Sequence, residues 1–229
     1  MILDEFDGLS VRGLPWQADG EQLQVSSSAL VAKILCTRHN SALEPLDTLA
    51  FRAFRALVEG PQYVFNQRSP GRIAYHLISG DALELWFIKL LAGLYYGRIA
   101  THGRDRLLGR RTMDDQALRN ALLDQNLAPG AGLYVAQQPG EMLRRGIRAA
   151  PLSNVALDAL IGIRVEFGTV AFDTLLTAPR DQSAALARNR RRHRPGLIDF
   201  HGPQRDARLV LSWRGNGNVI NRFGIVLEG

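Results

Sequence analysis

The chain has 229 residues, of which 46% are hydrophobic and 22% are charged, a balance that favours a folded globular protein over a disordered one. Its 28 basic residues outnumber its 22 acidic residues, and the resulting net charge of +6 is compatible with an acidic partner such as nucleic acid. The single cysteine excludes an internal disulfide. Because no secretory-signal pattern follows Met1 either, we expect a cytoplasmic protein.

The first quarter of the chain predicts short strands followed by a helix. The apolar run at residues 29–35 has the length of a strand. Pro45 is tolerated before or in the first turn of a helix, and the Asp47 side chain could accept hydrogen bonds from the free backbone amides there. Apolar residues then recur at helical spacing, so we predict a helix from Asp47 to the Gly60-Pro61 pair, which would stop it.

The middle of the chain predicts the centre of the core. Residues 72–78 alternate between apolar and other side chains, as a short strand does. A helix follows from Asp81 to Gly97, and Asp81 with Glu84 matches a capping box. This helix is apolar on nearly all faces, so it must be packed on several sides. Its apolar run of about 14 residues is shorter than the roughly 20 that cross a bilayer, and we expect no membrane partner.

The remaining elements favour an α+β fold. A third helix follows Thr112, which forms a second capping pattern with Asp115. From Gly132 onward, short β-branched and aromatic runs alternate with Gly, Pro or Asn, and two hairpin turns are predicted, at residues 168–169 and 215–218. The predicted strands are residues 133–135, 160–167, 170–177, 197–201, 208–213 and 223–227.

Helices first and strands later indicate α+β rather than alternating α/β organisation. We therefore expect a single compact domain, 1–229, with a mainly helical subregion at 1–131 built around the buried central helix. The mainly β subregion at 132–229 would form an antiparallel sheet or a sandwich.

One local motif places a thiol and an imidazole at the spacing of half a zinc knuckle: Cys36, with His39 three residues later and Asn40 after it. Residues 34–47 resemble the distal half of the zinc knuckle in HNH-endonuclease-like bacterial proteins, where a strand delivers these residues and a helix follows. The resemblance implies that Cys36 and His39 are metal ligands and that Asn40 is a turn residue.

The rest of that pattern is missing from the sequence. In the family, an earlier Cys-x-x-Cys pair completes the zinc site, but residues 1–35 contain neither Cys nor His. The resemblance therefore implies either a degenerate member or a chain whose site is completed by an upstream segment or another subunit. A third interpretation is that Cys36 is a small buried side chain and His39 and Asn40 only shape a turn. We expect no stoichiometric zinc and no other cofactor.

The strongest charge feature has five arginines in seven positions, which create a field suited to a phosphate backbone or an acidic protein. They are Arg188, Arg190, Arg191, Arg192 and Arg194. Only Lys33 and Lys89 are lysines among the 28 basic residues, so arginine is abundant in the whole chain. A solvated loop is therefore the alternative interpretation. No aromatic residue interleaves the run, so stacking on unpaired bases is not indicated.

These features lead to one functional hypothesis and two alternatives. The motifs of phosphate loops, dinucleotide sites and serine hydrolases are missing, which argues against an enzyme. We expect a non-catalytic, HNH-like remnant that binds nucleic acid or an acidic partner through the arginine run. The first alternative is a metal-dependent nuclease or hydrolase completed from outside the chain. The second is a structural or self-assembling homo-oligomer that pairs through an exposed sheet edge.

Overall fold

The computed structural model describes about two thirds of the chain. The described residues are 9–11, 23–25, 37–65, 73–96, 101–102, 105–106, 112–137, 147–154, 159–167, 169–178, 191–203, 205–215 and 221–227. Within them the helices are α1 (Thr37–Phe65), α2 (Gly80–Tyr96) and α3 (Asp115–Leu123). The strands are β1 (Leu9–Val11), β2 (Leu23–Val25), β3 (Ile73–Ser79), β4 (Thr101–His102), β5 (Asp105–Arg106), β6 (Thr112–Met113), β7 (Gly132–Gln137), β8 (Ile147–Ser153), β9 (Ala159–Phe167), β10 (Val170–Leu175), β11 (Arg192–His193), β12 (Leu197–His201), β13 (Asp206–Ser212) and β14 (Arg222–Val226).

The α+β class is confirmed, and two sheets carry most of the strands. One sheet has the order β11-β7-β10-β9-β6, with β8 also paired to β9. Its β7, β8, β9 and β10 pair antiparallel, and only the short β6 is parallel to its neighbour. The second sheet has the order β14-β12-β13-β3 and is mixed, because β14 and β3 run parallel to their neighbours. The strand from the first half of the chain, β3, thus completes a sheet of the second half.

One predicted hairpin is present and the other is not. Phe167 of β9 is directly opposite Val170 of β10, so the chain turns at residues 168–169 as predicted. The prediction of a hairpin at 215–218 was wrong, because β13 and β14 lie on opposite sides of β12. The chain after β13 must cross to the far edge of the sheet. Glycine and asparagine mark a turn, but they do not say which strand comes next in space.

Helix α2 lies at the centre of the core, as predicted. Leu83, Phe87, Ile88 and Leu91 are at most 1% exposed. The Phe87 ring stacks on Phe172 of β10, with centroids 5.3 Å apart. Helix α2 is therefore packed against the first sheet. None of the helices in the described ranges is long and apolar enough to span a membrane.

Helix α1 is longer than predicted at both ends. It begins at Thr37 rather than near Asp47, and it continues through Gly60 and Pro61 to Phe65. The prediction of a stop was wrong because packing outweighs the local preference. Gly60 is buried against β12, where an added Cβ would lie 3.1 Å from the Phe200 ring, and Val64 beyond Pro61 is only 2% exposed.

The predicted capping roles of Asp47 and Asp81 were also wrong. The Asp47 carboxylate instead joins α1 to α2, accepting from Trp86 Nε1 at 3.0 Å and from Lys89 Nζ at 2.7 Å. At the start of α2, Ala82 N donates a hydrogen bond to Ser79 Oγ. Asp81 Oδ2 accepts one from Arg214 N, in the turn directly after β13. Both carboxylates thus serve tertiary contacts.

The N-cap of α3 is Asp114, two residues after the predicted Thr112. Asp114 accepts a hydrogen bond from Ala117 N at 2.9 Å, whereas Thr112 belongs to β6. Asp115 instead accepts a hydrogen bond from Tyr96 Oη at the end of α2. Burial and this hydrogen bond raise the pKa of Tyr96 to about 12.

Candidate functional site

The described part of the arginine run, residues 191–194, forms the edge of the first sheet. Strand β11 pairs with β7, with Arg192 opposite Val135 and His193 opposite Tyr134. Arg194 N donates to Leu133 O at 2.8 Å, which extends the pairing by one residue. Because side chains alternate along a strand, neighbouring arginines on this edge face different surroundings.

Arg191 lies beside a buried carboxylate. Asp173 of β10 is 1% exposed and binds the guanidinium of Arg164, from Nε at 2.6 Å and from Nη2 at 2.9 Å. The Arg191 Nε lies 3.0 Å from Asp173 Oδ2, although its N–H makes no hydrogen bond. The hydrogen bonds to Asp173 raise the pKa of Arg164, although burial opposes this. Two arginines therefore neutralise one buried acid, and Arg191 holds β11 to the sheet.

Arg194 is paired with another buried acid, Glu84. Its Nε and Nη2 donate to Glu84 Oε2 and Oε1 at 3.0 and 2.8 Å. Leu133 N also donates to Glu84 Oε2, at 2.6 Å. The predicted capping role of Glu84 was therefore wrong, since its carboxylate joins α2 to β7 and to the end of β11. Burial opposes the charge of Arg194, yet the Glu84 carboxylate outweighs it and raises the pKa of Arg194.

His193 between these arginines is packed inward. Its ring lies 4.7 Å from the Tyr134 ring, and its Nε2 is 2.9 Å from Ala131 O. Burial lowers the pKa of His193, which favours the neutral ring in the folded protein. The Tyr134 hydroxyl donates to Gly130 O at 2.6 Å, so neither ring is free for chemistry.

Arg192 is the exposed arginine of this segment. Two further exposed arginines, Arg214 and Arg222, come from other parts of the chain and adjoin residues that bind the same backbone. Trp213 Nε1 donates to Pro195 O at 2.8 Å, and Asn221 Nδ2 donates to His193 O at 3.1 Å. We call these three arginines the basic surface.

The five arginines predicted to contact a partner therefore differ in their surroundings. Arg191 and Arg194 stand beside buried acids, Arg192 faces solvent, and Arg188 and Arg190 lie outside the described residues. The sequence also contained a signal for the buried partners. Glu84 and Asp173 are single acids inside strongly apolar segments, and a buried carboxylate requires a cationic partner.

The segment that resembles half a zinc knuckle has a different backbone conformation from the turn that was expected there. Cys36 lies outside the described residues, and His39 and Asn40 lie in the first turn of α1. The prediction that Asn40 is a turn residue between strand and helix was wrong. No group of three His, Cys, Asp or Glu side chains able to hold a metal occurs in the parts of the chain that the structure describes.

The comparisons with known proteins give no family for the chain. No protein-family model matches it, and neither a curated protein nor a solved structure shows significant similarity to it. The resemblance to HNH-like proteins therefore stays a prediction.

Proposed function

We propose that the protein is a non-catalytic nucleic-acid-binding protein and that the basic surface contacts the phosphate backbone. The observation that supports this most strongly is that Trp213 and Asn221, the chain neighbours of Arg214 and Arg222, bind the backbone of residues 193–195, directly after Arg192. Exposed guanidinium groups are suited to phosphate, because each presents a planar fork of N–H donors.

The buried ion pairs support the proposal in a second way. Arg191 and Arg194 fix β11 and the start of the following segment to the fold, so Arg192 projects from a rigid edge. A rigid contact loses less conformational entropy on binding than a mobile loop does. None of the three exposed arginines forms an ion pair with another described residue, so their charges are available to a partner.

The test is a binding series with labelled duplex DNA, single-stranded DNA and RNA, measured by fluorescence anisotropy at several salt concentrations. We expect micromolar-range binding at low salt, with little dependence on base sequence, because phosphate contacts carry no sequence information. The triple variant R192Q/R214Q/R222Q should flatten the slope of log affinity against log salt by up to about 3 units, since each duplex contact releases roughly one counterion.

A matched control variant has the same net charge as R192Q/R214Q/R222Q, but it keeps the basic surface. Arg52, Arg55 and Arg119 are exposed arginines on α1 and α3, and R52Q/R55Q/R119Q removes three charges away from the basic surface. The control should retain most of the affinity and slope of the wild type. Equal losses in both triple variants would mean that net charge alone governs binding, and the proposed surface would be rejected.

A further inference from the structure

Arg205 is buried, and it forms no ion pair with an acid among the residues that the structure describes. It lies just before β13, in a turn closed by a hydrogen bond from Gly202 N to Arg205 O at 3.0 Å. Arg205 is 6% exposed, and its Nε and Nη2 are buried without a hydrogen-bond partner. Its Cζ lies 5.1 Å from the centre of the Tyr63 ring. Stacking on an aromatic ring stabilises the charge but satisfies neither donor.

The two unsatisfied atoms form one edge of the guanidinium group. In the same fold, Arg164 uses this Nε and Nη2 edge to bind both oxygens of Asp173. Arg194 uses it to bind both oxygens of Glu84. This edge matches the two oxygens of a carboxylate or phosphate group. Among the described residues, Arg205 therefore lacks the kind of partner that Arg164 and Arg194 have.

The Tyr63 side chain that stacks on Arg205 also lines a pocket. Its volume is about 350 Å³, and it lies between the last turns of α1 and the strand β3. Glu59, Gln62 and Tyr63 share one face of the helix, and Ala74 and His76 share one face of the strand. The Glu59 carboxylate is bound by Arg55 Nε at 2.6 Å, which offsets its repulsion of an anion.

We propose that Arg205 and this pocket form a binding site for a small molecule that carries a carboxylate or phosphate group. The oxyanion accepts hydrogen bonds from Arg205 Nε and Nη2 after a displacement of the Tyr63 ring. The remainder of the molecule occupies the pocket beside Gln62 and His76. This site lies on different residues from the basic surface and does not depend on the proposed function.

The test is a titration of the full chain, monitored by ¹⁵N NMR through the signals of the arginine Nε–H groups. The Arg205 signal is assigned as the one that is lost in Arg205→Lys. The probes are sodium phosphate and sodium acetate, each at constant ionic strength against sodium chloride. We expect a saturable shift of the Arg205 signal with at least one probe, at a dissociation constant of about 1 to 10 mM for so few atoms. The probe that saturates identifies the group as phosphate or carboxylate.

Variants give an independent measure of the same binding, from backbone amide shifts around Tyr63 and His76. Arg205→Lys keeps the charge but loses the paired donors, so the affinity should fall about tenfold or more. The control Arg222→Lys should bind as the wild type does. The absence of a saturable shift in the wild type up to about 100 mM of either probe would overturn the proposal, as would unchanged affinity in a folded Arg205→Lys protein.

Discussion

Replacing Glu84 by glutamine tests whether the ion pair between Glu84 and Arg194 stabilises the fold. The Glu84 side chain is 6% exposed and accepts three hydrogen bonds, two from Arg194 and one from Leu133 N. Glutamine has a similar shape, but it carries no charge and only one acceptor oxygen. The variant therefore leaves the Arg194 guanidinium without its counter-ion and places an amide donor against N–H donors.

The size of the effect follows from the exposure of the two partners. Removing one member of a fully buried ion pair costs about 3 to 5 kcal/mol, because the other charge remains uncompensated. The Arg194 side chain is 30% exposed, so water solvates part of its charge and reduces the penalty. We expect Glu84→Gln to lower the free energy of unfolding by about 2 to 4 kcal/mol.

Urea unfolding followed by circular dichroism measures this loss, with an unchanged m-value as the sign that the unfolded state is the same. Glu59→Gln is the matched control, because Glu59 pairs with Arg55 on an exposed helix face and should cost less than about 0.5 kcal/mol. In the double variant Glu84→Gln/Arg194→Met, the loss should be smaller than the sum of the single losses. A loss below about 0.5 kcal/mol for Glu84→Gln would refute the structural role of this pair.

Three further predictions follow from single side chains. Arg191→Gln should lower the free energy of unfolding by about 1 to 3 kcal/mol, whereas Arg192→Gln should change it by less than about 0.5 kcal/mol in the same urea assay. The pKa of His193 is lower in the folded than in the unfolded protein, so stability should fall as the pH drops below the unfolded value of 6.5. His193→Asn should remove that part of the pH dependence; an unchanged profile in pH-dependent melts would contradict the assignment. Ultraviolet titration of the five tyrosines should show a component that ionises near pH 12 and that is lost in Tyr96→Phe.

The local patterns of the sequence predicted much of the secondary structure. The apolar character of residues 83–96 predicted the buried helix α2, and alternation at residues 72–78 predicted β3. The helix α1 could not be bounded in this way, because Pro45 suggested a start and Gly60-Pro61 a stop, whereas the helix continues through both. The position of β14 beside β12 depends on a contact between segments that no turn motif specifies.

The charge pattern of the sequence located the candidate site. It did not show which arginines face the core and which face solvent. The spacing of the arginines gave the segment, whereas the direction of each side chain depends on how β11 pairs with β7. The partners of the inner arginines, Glu84 and Asp173, lie far away in the sequence. Arg205 carried no sequence signal, since its environment is formed by the end of α1 and the turn before β13.

Binding of duplex DNA by the full chain across a salt series, beside the two triple arginine variants, tests the proposed function most directly. We expect affinity for the wild type and for R52Q/R55Q/R119Q that falls steeply with salt, and a slope shallower by up to about 3 units for R192Q/R214Q/R222Q. The absence of binding by the wild type at about 50 mM salt, where electrostatic association is strong, would contradict a nucleic-acid-binding function.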